Sequence, residues 1–415
     1  MSDAVPKIEG HAAFYAHLKS GRVDKARIIG MENDRFVEKI LFGRKYYEAP
    51  IITSRICGIC PTIHNTTSTR AIEVACGINP SHQTINLRKL MLCGQMIQSH
   101  ALHLYLLVLP DFVGASSSFE LQKSHPDLFQ NAIDLKQYTD KILDTIGGRA
   151  VHPISNVPGG FKSYPTASQI TKLKQEGQKI KEIAEKTLRL FASFQYPKIN
   201  QCVSYNALHS KSDYAYYDGD IKNTSGTVFM AKNYTNYIYE ELKPYTRAKF
   251  GTLKGEEFMV GSMARLNVNF QYLDDDTKNI IAELKLHTKY DNPFENVIAQ
   301  AIENYFFVVE SIRLIEHFST KGIDKEPVKP PKRFGKGTAA CEAPRGTLFH
   351  HYEIDKNGYI INCDIITPTV QNLPPLELAM KKLGPIIKNK KPDERTQIIE
   401  MLIRAYDPCI TCATH

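Results

Sequence analysis

The chain contains no tryptophan, no low-complexity tract, no internal repeat and no apolar run long enough to cross a bilayer. Its longest apolar run, Leu102 to Leu109, contains His103 and stops at Pro110-Asp111, whereas a spanning helix needs about 20 apolar residues. A direct membrane span is therefore not expected. The segment Met1 to Lys7 lacks a basic stretch followed by an apolar one, so no signal peptide is expected either. The nine cysteines are an odd number, which with no secretory signal argues against a disulfide framework and for a reducing, cytoplasmic setting. The net charge of +8 is spread out, with only mild clusters at Lys381-Lys382 and Lys388 to Lys391. A concentrated basic patch is missing, so a solvated surface explains the charge better than nucleic acid does.

What is present is an ordinary globular composition, 42% hydrophobic and 23% charged over 415 residues, with two cysteine pairs of identical C-x-x-C spacing near its ends. Cys57 and Cys60 form one pair, Cys409 and Cys412 the other. Chance placement would give roughly 0.2 such pairs. Each C-x-x-C step presents two sulfurs from one short turn, and soft thiolates select soft or borderline transition metals over magnesium or calcium. A structural zinc knot, an iron–sulfur cluster and a redox dithiol all fit this spacing. The other cysteines, Cys76, Cys93, Cys202, Cys341 and Cys363, read as small buried hydrophobes.

The apolar pattern gives a mainly α, α+β protein, a helical bundle with small hairpins near the N-terminus and in the C-terminal third. Ser81 is an N-cap candidate for a largely buried helix over about Gln83 to Leu109. Further helices are expected over Ala167 to Phe194, Phe294 to Phe318 and Pro392 to Arg404, the last delivering the chain to Cys409. Length alone allows two or three domains; one compact unit, 1–415, is expected, with an N-terminal hairpin region over about 1–50, a helical core over about 80–320 and a C-terminal hairpin and ligand segment over about 335–415. From Thr347 to Thr367 apolar and polar residues alternate about Lys356-Asn357-Gly358, a strong hairpin signal. Pairing about that turn joins residues whose numbers sum to about 715. Arg345 then lies near Val370, and Pro344-Arg345 meets Pro368-Thr369 at the hairpin mouth. Taken alone, that meeting is equally a surface arginine beside a capping threonine.

The residues around the cysteines narrow the field. Arg55-Ile56-Cys57-Gly58-Ile59-Cys60-Pro61-Thr62-Ile63-His64 and Asp407-Pro408-Cys409-Ile410-Thr411-Cys412-Ala413-Thr414-His415 resemble the R-x-C-G-x-C-x-x-x-H and D-P-C-x-x-C-x-x-H signatures of the large, catalytic subunit of nickel–iron hydrogenases. Glu9-Gly10-His11 resembles that family's E-G-H element, Glu342-Ala343-Pro344-Arg345-Gly346 its E-A-P-R-G element, and Thr367 to Asn372 its later Pro-Ser/Thr segment. The matches run in family order from residue 7 to residue 415, with little between His152 and Glu310.

The resemblance implies reversible heterolytic cleavage of dihydrogen, which needs an electrophilic metal with a base beside it. It implies nickel held by Cys57, Cys60, Cys409 and Cys412, with Cys60 and Cys412 also bridging to an iron that carries carbon monoxide and two cyanides. Arg345 would hang over the open site, orienting hydrogen or serving as its base, although arginine is normally locked protonated. Arg345 and Thr369, beside Pro368, would hydrogen-bond the cyanides. Glu9 would take the proton from Cys409; read without the family it is an exposed strand glutamate. His64 and Asp407 would be supports, although a lone histidine near a cysteine is more often a packing residue. Glu38, His415 and a backbone carbonyl resemble the second metal site, magnesium or iron. Where several members have an aspartate, this chain has Ser99.

No further C-x-x-C or ferredoxin-like run exists, so no iron–sulfur cluster is expected in this chain and electrons must leave through an iron–sulfur small subunit. The chain's size resembles that of the cytoplasmic multi-subunit groups linked to nicotinamide, deazaflavin or heterodisulfide partners. Family precursors lose a tail after the histidine of D-P-C-x-x-C-x-x-H, and this chain stops at His415, either as the matured form or as the product of a gene without a tail; the resemblance implies maturation chaperones as partners, and an endopeptidase in the first case. A hydrogen sensor on the same ligands is the alternative. The hydrogenase-related subunit of respiratory complex I has lost the cysteines that are all present here.

Overall fold

The computed structural model describes residues 2–33, 36–115, 117–201 and 203–415. Asn296–Lys321 is its central helix, buried on nearly every side from Asn296 to Val308, as an all-round apolar helix must be. His82–Leu102 and Ala167–Ala192 pack against it, and Pro126–Gly147 packs on both. Ala167–Ala192 buries one stripe only, Ile170, Leu173, Ile180, Ala184, Leu188 and Phe191, the three- and four-residue spacing of an amphipathic surface helix. Caps set where two of these helices begin. The Ser81 hydroxyl accepts from the Thr84 N–H at 3.0 Å, and Thr166 forms a reciprocal capping box with Gln169.

The helix expected to run unbroken to Leu109 does not. Its α-helical part ends at Leu102, and His103–Val108 forms a wide π turn before Leu109–Val113. The cause is His103, whose Nδ1 lies 2.5 Å from Gln300 Oε1 and whose Nε2 lies 2.7 Å from the Arg404 carbonyl. Such single wide turns mark places where a side chain is re-aimed. The whole stretch His82–Val113 is, among the described residues, the one helix long and apolar enough to cross a membrane, and 83% of the apolar window lies buried inside the fold.

Small sheets close the ends. Ser2–Ala4, Ala12–Lys19 and Arg22–Gly30 form an antiparallel meander. Lys336–Ala343, Gly346–Ile354 and Ile360–Ile366 form another, with the helix Pro61–Cys76 packed across it. In the expected hairpin Phe349 faces Ile366, His350 faces Ile365 and Tyr352 faces Cys363, the register that the alternation requires. A bulge after Glu353 shifts the last pair beside Gly358, whose φ is 81°. The middle third is less helical than expected. Phe258–Met259, Ser204–His209, Asp220–Asn223 and Val228–Phe229 make a four-stranded sheet, and Ile238–Leu242 pairs with Lys249–Leu253. A second, smaller core joins that sheet through Leu208, Ile221 and Phe258 to Phe349 and Ile366.

The main core runs from Val5 to Ala413 and takes in Cys57, Cys60, Cys409 and Cys412. The two chain ends meet there. Glu9 forms a parallel bridge with Cys409, and the Ile410 N–H donates to the Glu9 carbonyl at 3.1 Å.

Candidate metal centre

Each cysteine pair sits where a turn feeds a helix. The N–H groups of Ile59 and Cys60 donate to Cys57 Sγ at 3.3 and 3.4 Å, and Cys60 precedes the helix Pro61–Cys76, whose first residue is a proline. At the other end Pro392–Ala405 stops, Asp407 turns the chain with φ 49°, and Cys409 precedes the short helix Ile410–Ala413. The four sulfurs then converge. Cys57 Sγ lies 3.5 Å from Cys409 Sγ, Cys60 Sγ 3.5 Å from Cys412 Sγ, and all four fall within 4.8 Å of one another. A metal with thiolates at about 2.3 Å in a tetrahedron spaces them about 3.8 Å apart. All four are buried, free thiols. Contacts from Cys409, then from Cys412 and Cys60, hold the Cys57 thiol well below its usual range, while burial pushes Cys409 and Cys412 well above theirs. Four adjacent thiols cannot all ionise unaided, and a bound cation removes that obstacle.

A small cleft, with room for about one water molecule, opens beside the sulfurs, lined by Cys60, His64, Arg345, Pro368, Thr369 and Cys412 among others. Arg345 is brought there by Gly346, whose φ is 132° and where an added Cβ would lie 2.3 Å from the Val260 side chain; glycine is required. The Arg345 guanidinium donates from Nε to the Asp407 carbonyl at 2.7 Å and from Nη2 to Asp407 Oδ1 at 2.8 Å. Its Nη1 is buried with no hydrogen-bond partner among the described residues. Burial opposes its charge, yet Asp407 and the Cys409, Cys60 and Cys57 sulfurs outweigh that cost and hold the arginine protonated. Thr369 accepts the Cys409 N–H at 3.0 Å, which leaves its own hydroxyl proton for the cleft. Pro368 is the first residue of the helix Pro368–Lys381.

The remaining expected residues are also drawn in. Glu9 is half-buried and faces Thr411, whose hydroxyl donates to Glu9 Oε1 at 2.5 Å and lies 3.7 Å from Cys409 Sγ. The N-terminal segment is held there by Arg404, which donates to the Pro6 carbonyl and pairs with Asp111, itself paired with Lys7. His64 Nε2 lies 3.7 Å from Cys412 Sγ. Asp407 is gripped on its far side by Gln300 Nε2 at 3.1 Å, with His103 Nε2 at 3.7 Å. His415 Nε2 lies 2.9 Å from the Ile365 carbonyl and 3.7 Å from Glu38 Oε1. One imidazole nitrogen, one carboxylate and one carbonyl thus lie together, with Lys249 Nζ 3.8 Å from the same Glu38 oxygen.

Sequence reasoning missed Gln300, His103, Thr411 and His350, because their roles depend on which helix lies behind which; only Thr411, inside the second C-x-x-C, carried a local signal. Ser99 is buried, and its hydroxyl has no partner among the described residues. Cys76, Cys93, Cys341 and Cys363 are buried as expected, while Cys202 lies outside the described residues.

The fold and the four-cysteine nest define a candidate thiolate metal centre assembled from both ends of the chain. The sequence profile of the nickel-dependent hydrogenase family matches residues 35–127 and 193–415, including the 193–310 stretch in which no motif was legible. The chain is 34% identical to the alpha chain of sulfhydrogenase 1 of Pyrococcus furiosus, over 100% of this chain and 97% of that one. It is 32% identical to one of the subunits of the F420-non-reducing hydrogenase of Methanothermobacter marburgensis, over 100% and 94%. The crystal structure of an NAD+-reducing [NiFe]-hydrogenase in the H2-reduced state superposes with a TM-score of 0.88 at 25% identity, over 100% and 98% of the two chains. The chain belongs to the nickel-dependent hydrogenase family. Its class is that of oxidoreductases acting on dihydrogen.

Proposed function

We propose that the chain is the catalytic subunit of a nickel–iron hydrogenase that splits dihydrogen reversibly into protons and electrons. The observation that carries this reading is four buried sulfurs beside a buried arginine with one unpaired N–H donor. A structural zinc knot needs neither the cleft nor the spare donor. Cys57, Cys60, Cys409 and Cys412 would hold nickel, with Cys60 and Cys412 shared with an iron bearing carbon monoxide and two cyanides. When bound, that centre supplies the electrophilic metal and the redox change that dihydrogen cleavage needs.

The chain's own residues supply the rest. Arg345 Nη1 and the Thr369 hydroxyl are donors available to anionic ligands in the cleft, with Pro368 packed beside them. Arg345, held over the cleft by Asp407, orients dihydrogen or serves as its base. Asp407 holds that guanidinium in place, and His64 supports the Cys412 sulfur. Glu9 receives the proton leaving the Cys409 side, with the Thr411 hydroxyl between them. Glu38, the Ile365 carbonyl and His415 would take magnesium or iron and so brace the C-terminus that carries Cys412.

Electrons leave through an iron–sulfur small subunit. Arg55 and Gly58 are exposed on either side of buried Cys57, so the centre lies close beneath one face of the chain. Further electron-transfer subunits, maturation chaperones and an endopeptidase complete the expected partners, in the cytoplasm. The NAD+-reducing and F420-non-reducing relatives favour turnover over sensing. The test is the purified complex, which should reduce a viologen dye under dihydrogen and show infrared bands of bound carbon monoxide and cyanide. A complex containing only zinc, without those bands, refutes the proposal.

A further inference from the structure

Behind Cys412 runs a line of buried polar side chains that the chemistry above leaves unused beyond its first member. His64 Nε2 faces Cys412 Sγ at 3.7 Å, and its Nδ1 meets His350 Nε2 at 3.2 Å. His350 Nδ1 meets the Tyr352 hydroxyl at 2.9 Å, and that hydroxyl meets Ser68 Oγ at 2.8 Å. All four side chains are buried. Two elements build the line. His64 and Ser68 are four residues apart on one face of the helix Pro61–Cys76. His350 and Tyr352 are two apart on one face of the strand Gly346–Ile354.

The proton positions along it follow from the chemistry of each group. Burial pushes His350 far below its usual range, so it is neutral and carries one N–H. Burial likewise pushes the Tyr352 phenol far up, so its proton stays on. A Cys412 sulfur that holds a metal is an acceptor, and the contact at 3.7 Å then calls for His64 to present Nε2–H to it. His64 Nδ1 then accepts from His350 Nε2–H, His350 Nδ1 accepts from the Tyr352 O–H, and the Tyr352 oxygen accepts from Ser68. The opposite order would set a nitrogen lone pair against the sulfur charge. Every donor points toward the metal nest, and hydrogen bonds so aligned polarise one another.

We propose that His350 and Tyr352 are positioning residues which, acting through His64, fix the tautomer that aims an N–H at the Cys412 sulfur and so reduce the electron density this sulfur gives the metal centre. The inference rests on the hydrogenase reading and adds to it a remote tuning line of three residues, Ser68, Tyr352 and His350.

The test uses the purified complex carrying Tyr352→Phe, His350→Gln or Ser68→Ala, with Tyr138→Phe, a buried tyrosine outside the line, as control. The readouts are nickel content, thermal midpoint, the infrared bands of the bound diatomic ligands and the midpoint potential of the centre. Tyr352→Phe is expected to keep nickel while shifting both bands and potential, Ser68→Ala to shift them less in the same direction, and Tyr138→Phe not at all. Should Tyr352→Phe fail to fold, Ser68→Ala decides. Bands and potential identical to wild type in the nickel-loaded variants overturn the inference and leave the hydrogenase reading intact. A wild-type complex with no such bands overturns that reading, and the inference with it.

Discussion

Arg265 and Arg345 are two buried arginines that serve the same loop, and they are treated in opposite ways. Arg265 donates from Nε and Nη2 to the Glu303 carboxylate at 2.6 Å each, from Nη1 to Glu342 at 2.9 Å, and to the carbonyls of Ala343 at 2.8 Å and Pro344 at 3.0 Å. All three of its nitrogens are engaged. Arg345, the residue after Pro344, is held among the described residues by Asp407 alone and keeps Nη1 without a partner there, in a cleft lined by sulfur. An unpaired buried donor costs about 1–3 kcal/mol, so the fold satisfies one arginine fully and leaves its neighbour with a donor that a ligand in the cleft could satisfy. Arg265 is the clamp that sets the backbone from which Arg345 reaches.

The largest effect separating the two regions is loss of the metal. Replacing Cys57, Cys60, Cys409 or Cys412 with alanine should abolish bound nickel and activity, read by metal analysis of the purified complex. Nickel retained in full by all four variants would show that the nest is not the metal site. Arg265→Met should then cost stability of about 3–5 kcal/mol, because two buried carboxylates lose their cation, and a thermal melt measures this. Arg345→Lys keeps a charge near Asp407 and should melt close to wild type, yet lose about 100-fold or more in hydrogen turnover through its lost second donor. Equal stability losses at the two positions would erase the contrast.

Glu9→Gln sharpens the account of the cleft's outlet. It should leave nickel and the infrared bands in place while largely abolishing exchange of protons with deuterium gas, and undiminished exchange would remove Glu9 from the proton route. The smallest effect concerns pH. Burial opposes ionisation of Glu303, but Arg265 and His100 outweigh it and hold its carboxyl well below the ordinary 4.5. Its contribution to stability is therefore fully present above about pH 4.5 and lost as pH falls through the lower folded value. Acid unfolding of Glu303→Gln should accordingly be less steep below about pH 4.5 than that of the wild type; identical curves would mean that Glu303 does not titrate with the fold.

The hairpin about Gly358 and both cysteine turns were legible because each is written locally: a period of two about Asn-Gly, and two sulfurs per turn. The order of family motifs then placed Glu9, Glu38, Arg345, Thr369 and His415 before any fold was known. The π turn at His103 was not legible, since its cause is Gln300 on another helix and a carbonyl near the C-terminus. Pro126–Gly147 was missed although Leu135, Tyr138, Ile142 and Ile146 give it a helical stripe; Pro126 at its start and Gly148 after its end were the available signals. The strands between Ser204 and Met259 are two to six residues long, which leaves too little alternation to detect, and Phe258–Met259 pairs with the distant Ser204–Tyr205.

X-ray absorption at the nickel edge of the purified complex tests the convergence of the two chain ends most directly. The expected result is nickel surrounded by sulfur at about 2.3 Å, with that sulfur shell reduced when Cys409 is replaced. Nickel surrounded by nitrogen and oxygen alone, or a shell indifferent to Cys409, would contradict it.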